Sequence, residues 1–149
     1  MKFLFSLVFV CCFSLFGTAQ NIFPEKFDGC NTDRFAMEKD TVSVKLQNAK
    51  IARVLEKAID SKCRAKIKGN LLLQVIVDTD GNSCLISIKN DTNIPSGKMR
   101  LKEVIDTELL WEKPKEKTSP MISVNFSGNA LYITRLGLGG DKGIHELKQ

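Results

Sequence analysis

The side chains that could do chemistry in this chain are few and scattered. His145 is the sole histidine of the 149 residues and lies near the end of the sequence. Nucleophilic catalysis by a cysteine needs a base such as histidine within hydrogen-bond reach. Zinc sites need cysteine or histidine pairs at short spacing. The sequence displays neither pattern, so we expect no enzymatic activity, no metal site and no cofactor.

One acidic cluster has some features of a calcium-binding loop. Asp78, Asp80 and Asn82 alternate along the chain, as oxygen ligands do in an EF-hand. That loop needs glycine at its sixth position and glutamate at its twelfth. Here Gly81 is fourth and Lys89 is twelfth. We therefore interpret the cluster as the turn of a β-hairpin, because Gly81 and Asn82 accept positive φ angles at low cost.

The amino terminus has the pattern of a secretory signal peptide. Lys2 supplies a positive charge, residues 3–16 are almost wholly apolar, and residues 17–19 are small. The apolar stretch is shorter than the ~20 residues that span a bilayer as a helix. We predict cleavage after Ala19 and a mature protein that is periplasmic or secreted, with no stable membrane span. Retention of this segment as a membrane anchor is the alternative.

Three cysteines remain once the signal peptide is removed. An oxidising compartment favours disulfides, and an odd number leaves one thiol over. Cys84 would share one face of its strand with Ile86 and Ile88, which favours a buried and inert thiol. Cys30 and Cys63 are then the predicted pair. Spacing alone leaves other pairings open.

Composition and charge limit the classes of protein. A length of 149 residues with 43% hydrophobic content suits one well-buried domain. The net charge is +5, but lysine and glutamate are mixed along the chain, as in residues 113–117. A nucleic-acid-binding protein more often has a concentrated basic face with interleaved aromatic residues. We therefore expect no nucleic-acid partner.

The hydrophobic pattern predicts the elements that position these residues. Residues 69–77 and 84–89 favour extended structure on either side of the predicted turn, which indicates a hairpin. Residues 98–111 form an amphipathic helical pattern, and residues 121–126 alternate with the period of a half-buried strand. The predicted order of these elements is strand, strand, helix, strand.

Weaker patterns flank this unit. Residues 41–46 alternate as a short strand would, and Asn48 is a predicted N-cap for a helix with one apolar stripe. Leu131 to Leu136 could return as a further strand. Residues 137–143 are glycine-rich, and no helix clearly follows to form a phosphate site, so they are interpreted as part of a flexible tail.

These elements predict an α+β fold. The predicted sheet is small and antiparallel, with three strands and the option of a fourth, and two helices pack on one of its faces. The predicted organisation is a signal peptide (1–19), a leader (20–47), one domain (48–136) and a flexible tail (137–149).

Residues 69–126 resemble the carboxy-terminal domain of TonB proteins. The most specific features are the turn Val77-Asp78-Thr79-Asp80-Gly81, the step from Trp111 to Pro114, and the final strand 122–126. The leader segment Phe27-Asp28-Gly29-Cys30 and the pair Ala19-Gln20 also resemble free-standing exported proteins of this type from Bacteroidetes-like bacteria.

The resemblance implies a non-enzymatic binding module. The family engages a peptide segment of outer-membrane transporters by edge-strand pairing, so the expected partner is a peptide or another envelope protein. It places the partner-binding residues on one strand: Ile122, Ser123, Val124, Asn125 and Phe126. If Leu131 to Leu136 pairs with this strand, the edge is already occupied.

Two alternative functions follow from the same features. One is a structural protein that self-associates, for example as a homodimer, through this edge. The other is a TonB-type energy transducer, which requires that the amino-terminal segment is retained as an anchor.

Overall fold

The computed structural model describes residues 21–128 and 130–148, so the predicted signal peptide and its cleavage site lie outside the described residues. Eight strands form one mostly antiparallel sheet in this part of the chain. The strands are β1 (Glu25–Lys26), β2 (Ala36–Met37), β3 (Gly69–Val77), β4 (Ser83–Thr92), β5 (Thr118–Ser119), β6 (Met121–Ser127), β7 (Ala130–Leu138) and β8 (Ile144–Glu146). The α-helices are α1 (Asn48–Ala58), α2 (Ser61–Arg64) and α3 (Leu101–Glu108), and short 3-10 turns occupy Ser96–Lys98 and Gly140–Lys142.

The strand order is β1-β4-β3-β6-β7-β8, and β5 pairs with both β3 and β2. The prediction of a three- or four-stranded sheet with two helices is therefore wrong. Three of the additional strands are only two residues long, and their pairing with distant strands defines them. A two-residue strand has no alternation that a sequence pattern could reveal. The strand predicted at residues 41–46 does not form.

The predicted hairpin is confirmed as β3 and β4. These strands pair from Gly69↔Thr92 to Val77↔Ser83, with a β-bulge next to Gln74 and Val75. Gly81 has φ +88°, and a side chain there would meet the carbonyl oxygen of Trp111 at 2.6 Å. The turn therefore needs glycine both for its conformation and for its contact with Trp111.

The main hydrophobic core lies between one face of the sheet and the helices α1 and α3. Both helices bury one apolar stripe, as the sequence predicts. The buried helical residues are Ile51, Val54, Leu55 and Ala58 of α1 and Leu101, Val104 and Ile105 of α3. The N-cap of α1 is Gln47 rather than Asn48, and it makes no side-chain capping bond.

The segment before α1 covers part of the opposite face of the sheet. Phe23 is buried there, and the amide of Ile22 donates to Oε1 of Gln74 at 2.8 Å. Gln74 is itself fully buried, and its Oε1 accepts the hydroxyl of Ser87 at 2.7 Å. The predicted leader is therefore an integral layer of the fold.

The end of the chain is also part of the sheet. β8 pairs with β7 from Leu136↔Glu146 to Leu138↔Ile144, and Leu147 is buried. The prediction of a flexible tail over residues 137–149 is wrong for this paired stretch. None of the helices that the structure describes is long and apolar enough to cross a membrane.

Candidate functional site

The strand predicted to bind a partner lies inside the sheet. β6 pairs with β3 on one side and with β7 on the other along residues 121–126. Ile122, Val124 and Phe126 are buried in the core, whereas Ser123 and Asn125 point to the opposite face. The prediction that this strand is an open edge is therefore wrong. The further strand predicted at Leu131 to Leu136 is confirmed as part of β7, and it is this strand that occupies the edge.

In the described part of the chain, β7 has an open edge. Its partner β8 pairs only with Leu136 to Leu138, and the amide of Leu147 extends the contact by donating to the carbonyl of Arg135 at 2.9 Å. In an antiparallel ladder the peptide groups of alternate residues point to the same side. Leu131 and Ile133 therefore point their N–H and C=O groups outward, in the same direction as the carbonyl of Arg135.

The hydrogen bonds around this edge are consistent with the outward direction of the peptide groups of Leu131 and Ile133. The carbonyl of Ile133 accepts a hydrogen bond from the side-chain amide of Asn48 at 3.3 Å. Within residues 21–128 and 130–148, no hydrogen-bond partner is found for the outward N–H groups of Leu131 and Ile133. Among the described residues, nothing occupies these two donors, and we propose below that an added strand does. We refer to β7 from Ala130 to Thr134 as the β7 edge.

A cavity of about 350 Å³ opens beside the start of the β7 edge, between β7 and the helices α1 and α2. Ala52, Leu55, Phe126 and Leu131 contribute to its apolar lining. Tyr132 is 61% exposed on the opposite face of β7. A strand added at the edge would therefore meet an apolar recess on one face and an exposed aromatic ring on the other.

A second cavity of about 720 Å³ lies at the other end of the β7 edge. Its lining includes Lys45, Asn48, Arg135 and Lys148. Because Asn48 also contacts the carbonyl of Ile133, this cavity adjoins the open part of β7 directly. We refer to it as the basic cavity.

Arg135 is held rigidly beneath the basic cavity. Its side chain is 3% exposed and forms an ion pair with Glu38, whose side chain is fully buried. Its Nη1 donates to the carbonyl of Val44 at 3.0 Å, and its guanidinium lies 4.8 Å from the ring centroid of Trp111. Burial lowers the pKa of Arg135, and the neighbouring carboxylate of Glu38 opposes this shift.

Comparison of the chain with family models, curated proteins and solved structures finds no match. The functional assignment therefore depends on the geometry of the β7 edge and its two cavities.

The disulfide links Cys30 to Cys84, with a Cα–Cα distance of 5.7 Å, and Cys63 is a free thiol. The predicted Cys30–Cys63 pair is wrong, and so is the prediction that Cys84 is an unpaired buried thiol. The β-bulge is the reason. Gln74 pairs with Ser87 and Val75 with Leu85, so Ile86 is an extra residue in β4, and Cys84 does not share the face of Ile88. Alternation alone could not show this.

The leader brings Cys30 to this position. β1 pairs with Ser87 and Ile88 of β4, and the amide of Phe27 donates to the carbonyl of Ile86 at 2.9 Å. The chain that follows therefore runs beside β4, within reach of Cys84. The sequence signal for this arrangement is weak, because β1 is only two residues long.

The other reactive side chains among the described residues are not assembled into a site. His145 lies in β8, with Nε2 3.5 Å from Oδ1 of Asp40. Cys63 lies in α2, where a hydrogen bond from its thiol to Asp60 raises its pKa. A raised pKa lowers the thiolate fraction that nucleophilic chemistry needs. In the described parts of the chain, no group of three or more His, Cys, Asp or Glu side chains is placed to hold a metal ion.

Proposed function

We propose that this protein is an exported, non-enzymatic binding module that pairs an extended peptide of an envelope protein with the β7 edge. The observation that carries this proposal is the difference in length between β7 and β8. β7 has nine residues and β8 has three, so the first half of β7 keeps its outward backbone groups. The Cys30–Cys84 disulfide supports an oxidising compartment outside the cytosol.

The physical basis is the addition of a strand to a sheet. Outward N–H and C=O groups in an exposed strand form hydrogen bonds with any extended chain that approaches in register. Leu131 offers a donor and an acceptor, and Ile133 offers a donor. These backbone bonds supply affinity that does not depend on the partner's side chains, and the neighbouring surfaces supply selectivity.

The opposite edge of the sheet is less suited to this role. β1 pairs with Ser87 and Ile88, so the middle of β4 is covered. Further along β4, Lys89 and Asp91 form an ion pair at 3.1 Å and are both exposed. Short strands and charged side chains at an edge disfavour pairing with another chain. The β7 edge carries neither of these protections.

The surfaces beside the β7 edge favour a partner with apolar residues. Leu131 and Ile133 pack against the core, so their side of the sheet faces the helices. A peptide residue on that side would reach the cavity of about 350 Å³ lined by Leu55 and Phe126. A peptide residue on the other side would lie near the exposed ring of Tyr132. We expect the bound segment to carry a medium-sized apolar residue for the cavity.

The resemblance of residues 69–126 to the TonB carboxy-terminal domain supports the same mode of binding. That family pairs an edge strand with a peptide of an outer-membrane transporter, and the resemblance therefore predicts the contact at residues 122–126. In this chain the next strand covers them. We therefore propose that the function of the edge has moved outward by one strand, to β7.

Amide hydrogen exchange measured by NMR tests the proposal. The protein is used to select peptides from a displayed random library, and exchange is measured with and without a selected peptide. In the free protein we expect fast exchange at Leu131 and Ile133 and slow exchange at Tyr132 and Thr134, whose amides face β6. The peptide should slow exchange at Leu131 and Ile133. Unchanged exchange at both amides with the peptide bound would contradict edge pairing.

A pair of variants at one position separates the backbone donor from the side chain. Ile133→Pro removes an outward N–H and leaves the inward bonds of β7 to β6, so the domain should stay folded and peptide binding should be lost. Ile133→Ala shortens the same side chain but keeps the donor, and it should retain most of the binding. Protection of Leu131 and Ile133 that grows with protein concentration in the absence of peptide would instead indicate self-association through this edge.

A further inference from the structure

The basic cavity adjoins the β7 edge, and its charge is unbalanced. Among the described residues that line it, Lys45 and Lys148 are exposed cations, and Glu112 is the one acid. Arg135 is also cationic, but Glu38 balances its charge from below. The exposed part of the cavity is therefore positive, and an anionic group would be stabilised there.

The amino terminus of α1 opens into the same cavity. Gln47 and Asn48 belong to the lining, and Gln47 makes no side-chain capping bond to the helix. The first N–H groups of a helix have no acceptor four residues earlier within the helix, and the helix dipole places partial positive charge there. In α1 the amide of Lys50 already donates to the carbonyl of Gln47 at 2.9 Å, so among the described residues it is the amides of Asn48 and Ala49 that have no acceptor. An anion at this position would supply the missing acceptors.

The side chain of Arg135 includes a buried hydrogen-bond donor without a partner within the described part of the chain, beside the same cavity. Arg135 is 3% exposed and lines the cavity, and its Nε atom has no hydrogen-bond partner in the described residues. Its other nitrogens are bonded to Glu38 and to the carbonyl of Val44. Buried polar groups without partners are uncommon in folded proteins, and an ion bound nearby is one of the explanations for them.

We infer that the basic cavity binds the terminal carboxylate of the peptide that pairs with the β7 edge. This inference rests on the proposed function and specifies its ligand: a segment at the carboxyl end of a partner chain. The cavity lies where the open part of β7 ends. The amide of Leu147 donates to the carbonyl of Arg135, where the covered part of β7 begins, and the next residue, Lys148, lines the cavity. A peptide on the open edge would meet the covered part of β7 at that point. Asn48 lines the basic cavity and also donates to the carbonyl of Ile133 on the edge.

The charge also fixes the direction of the peptide. The basic cavity lies at the Arg135 end of the β7 edge, and the cavity of about 350 Å³ lined by Leu55 and Phe126 lies at the Leu131 end. A carboxylate in the basic cavity requires the peptide to run parallel to β7. An antiparallel peptide would instead place an amino terminus, or an internal peptide bond, among the two lysines and the helix amino terminus.

Paired peptide libraries test this inference. Random hexapeptides are attached to a surface through their amino ends, one set with free carboxylates and a matched set with carboxamides. We expect binders to come from the acid set, and their amide forms to bind roughly 10-fold or more weakly, since charge-assisted hydrogen bonds are about twice as strong as neutral ones. Equal binding of acid and amide forms, or binders absent from the acid set, would overturn the inference.

Charge variants locate the carboxylate. Lys45→Gln and Lys148→Gln should each reduce binding of the acid peptides several-fold and leave binding of the amides unchanged. Lys115→Gln is the matched control, because Lys115 is exposed and lies outside the lining of both cavities. Equal losses for all three lysine variants would indicate a general charge effect and would overturn the assignment of the site.

The two proposals fail in distinguishable ways. If acid and amide peptides bind equally and protect the amides of Leu131 and Ile133 from exchange, edge pairing holds and the carboxylate site is rejected. If acid peptides bind with dependence on Lys45 and Lys148 but protect neither amide, edge pairing is rejected, and so is the claim that the carboxylate belongs to a peptide on the β7 edge. The basic cavity would then bind a carboxylate by itself.

A variant with Gly-Gly-Ser added after Gln149 provides a third comparison. If this variant binds acid peptides and the unextended protein does not, the protein's own terminal carboxylate fills the cavity, and the inference is overturned.

Discussion

Glu38 and Arg135 form a buried ion pair that joins the amino-terminal segment to β7, across 97 positions of sequence. Oε1 of Glu38 also accepts hydrogen bonds from the amide of Ser43 at 2.8 Å and from its hydroxyl at 3.0 Å. Arg135 in turn lies against Trp111. These contacts hold the segment before α1, the strand β7 and the chain after α3 together, and they support the floor of the basic cavity.

Glu38→Gln tests this pair. The substitution removes the negative charge and leaves the guanidinium of Arg135 buried without a counter-ion. We expect the free energy of unfolding to fall by about 3–5 kcal/mol, measured by urea denaturation at pH 7. The double variant Glu38→Gln with Arg135→Met should recover part of this loss, because it no longer buries an unpaired charge. Glu116→Gln, at an exposed position, is the control. A change of less than about 0.5 kcal/mol, typical of ordinary surface substitutions, would contradict the structural role of the pair.

The Cys30–Cys84 bridge gives a second prediction. It links residues 54 apart in sequence, so its reduction should lower the free energy of unfolding by about 4 kcal/mol on the loop-entropy account. Cys84→Ala should show the same loss without reductant, whereas Cys63→Ala should retain the effect of reduction. Mass spectrometry of the unreduced, digested protein should find the peptide of Cys30 joined to that of Cys84. A fragment that joins Cys30 to Cys63 would show that the described pairing is wrong.

Local patterns account for the parts of the fold that could be predicted. The hairpin depends on turn residues next to one another in sequence, and α1 depends on apolar residues three and four positions apart. The turn of the hairpin and the apolar stripe of α1 are therefore predictable from the sequence. The strand at residues 131–136 was also visible in the alternation, although its partner was not.

The parts that could not be predicted depend on contacts between distant residues. β1 and β2 are two residues long and exist because β4 and β5 pair with them. The extra residue Ile86 reverses the face of Cys84, and nothing in the alternation of β4 marks that position. The sequence places the candidate site on β6 rather than β7 for a similar reason. Whether β6 or β7 forms an edge is decided by pairing between strands, which one strand's sequence does not record.

The turn between β3 and β4 gives a prediction about pH. Oδ1 of Asp78 accepts the amides of Asp80 and Asn82, each at 2.9 Å, and Oδ2 accepts the side-chain amide of Asn82 at 2.9 Å. Partial burial raises the pKa of Asp78, but these hydrogen bonds together outweigh it, and the pKa lies below its ordinary value of 3.8. The unfolded chain therefore binds this proton more readily than the folded protein does.

The sign of the pH effect follows from linkage. A carboxyl group whose pKa is lower in the folded state stabilises the fold fully above its unfolded pKa, and this contribution is lost as the pH falls through the folded pKa. The side chain of the Asp78→Asn variant cannot ionise. The free energy of unfolding of the wild type should therefore exceed that of the variant most at pH 7, and this difference should shrink below about pH 4. Urea denaturation from pH 7 to pH 2 measures this. Asp141→Asn is the control for loss of one negative charge, since Asp141 lies in an exposed 3-10 turn. A constant difference between wild type and Asp78→Asn over this range would show that the ionised carboxylate does not stabilise the turn.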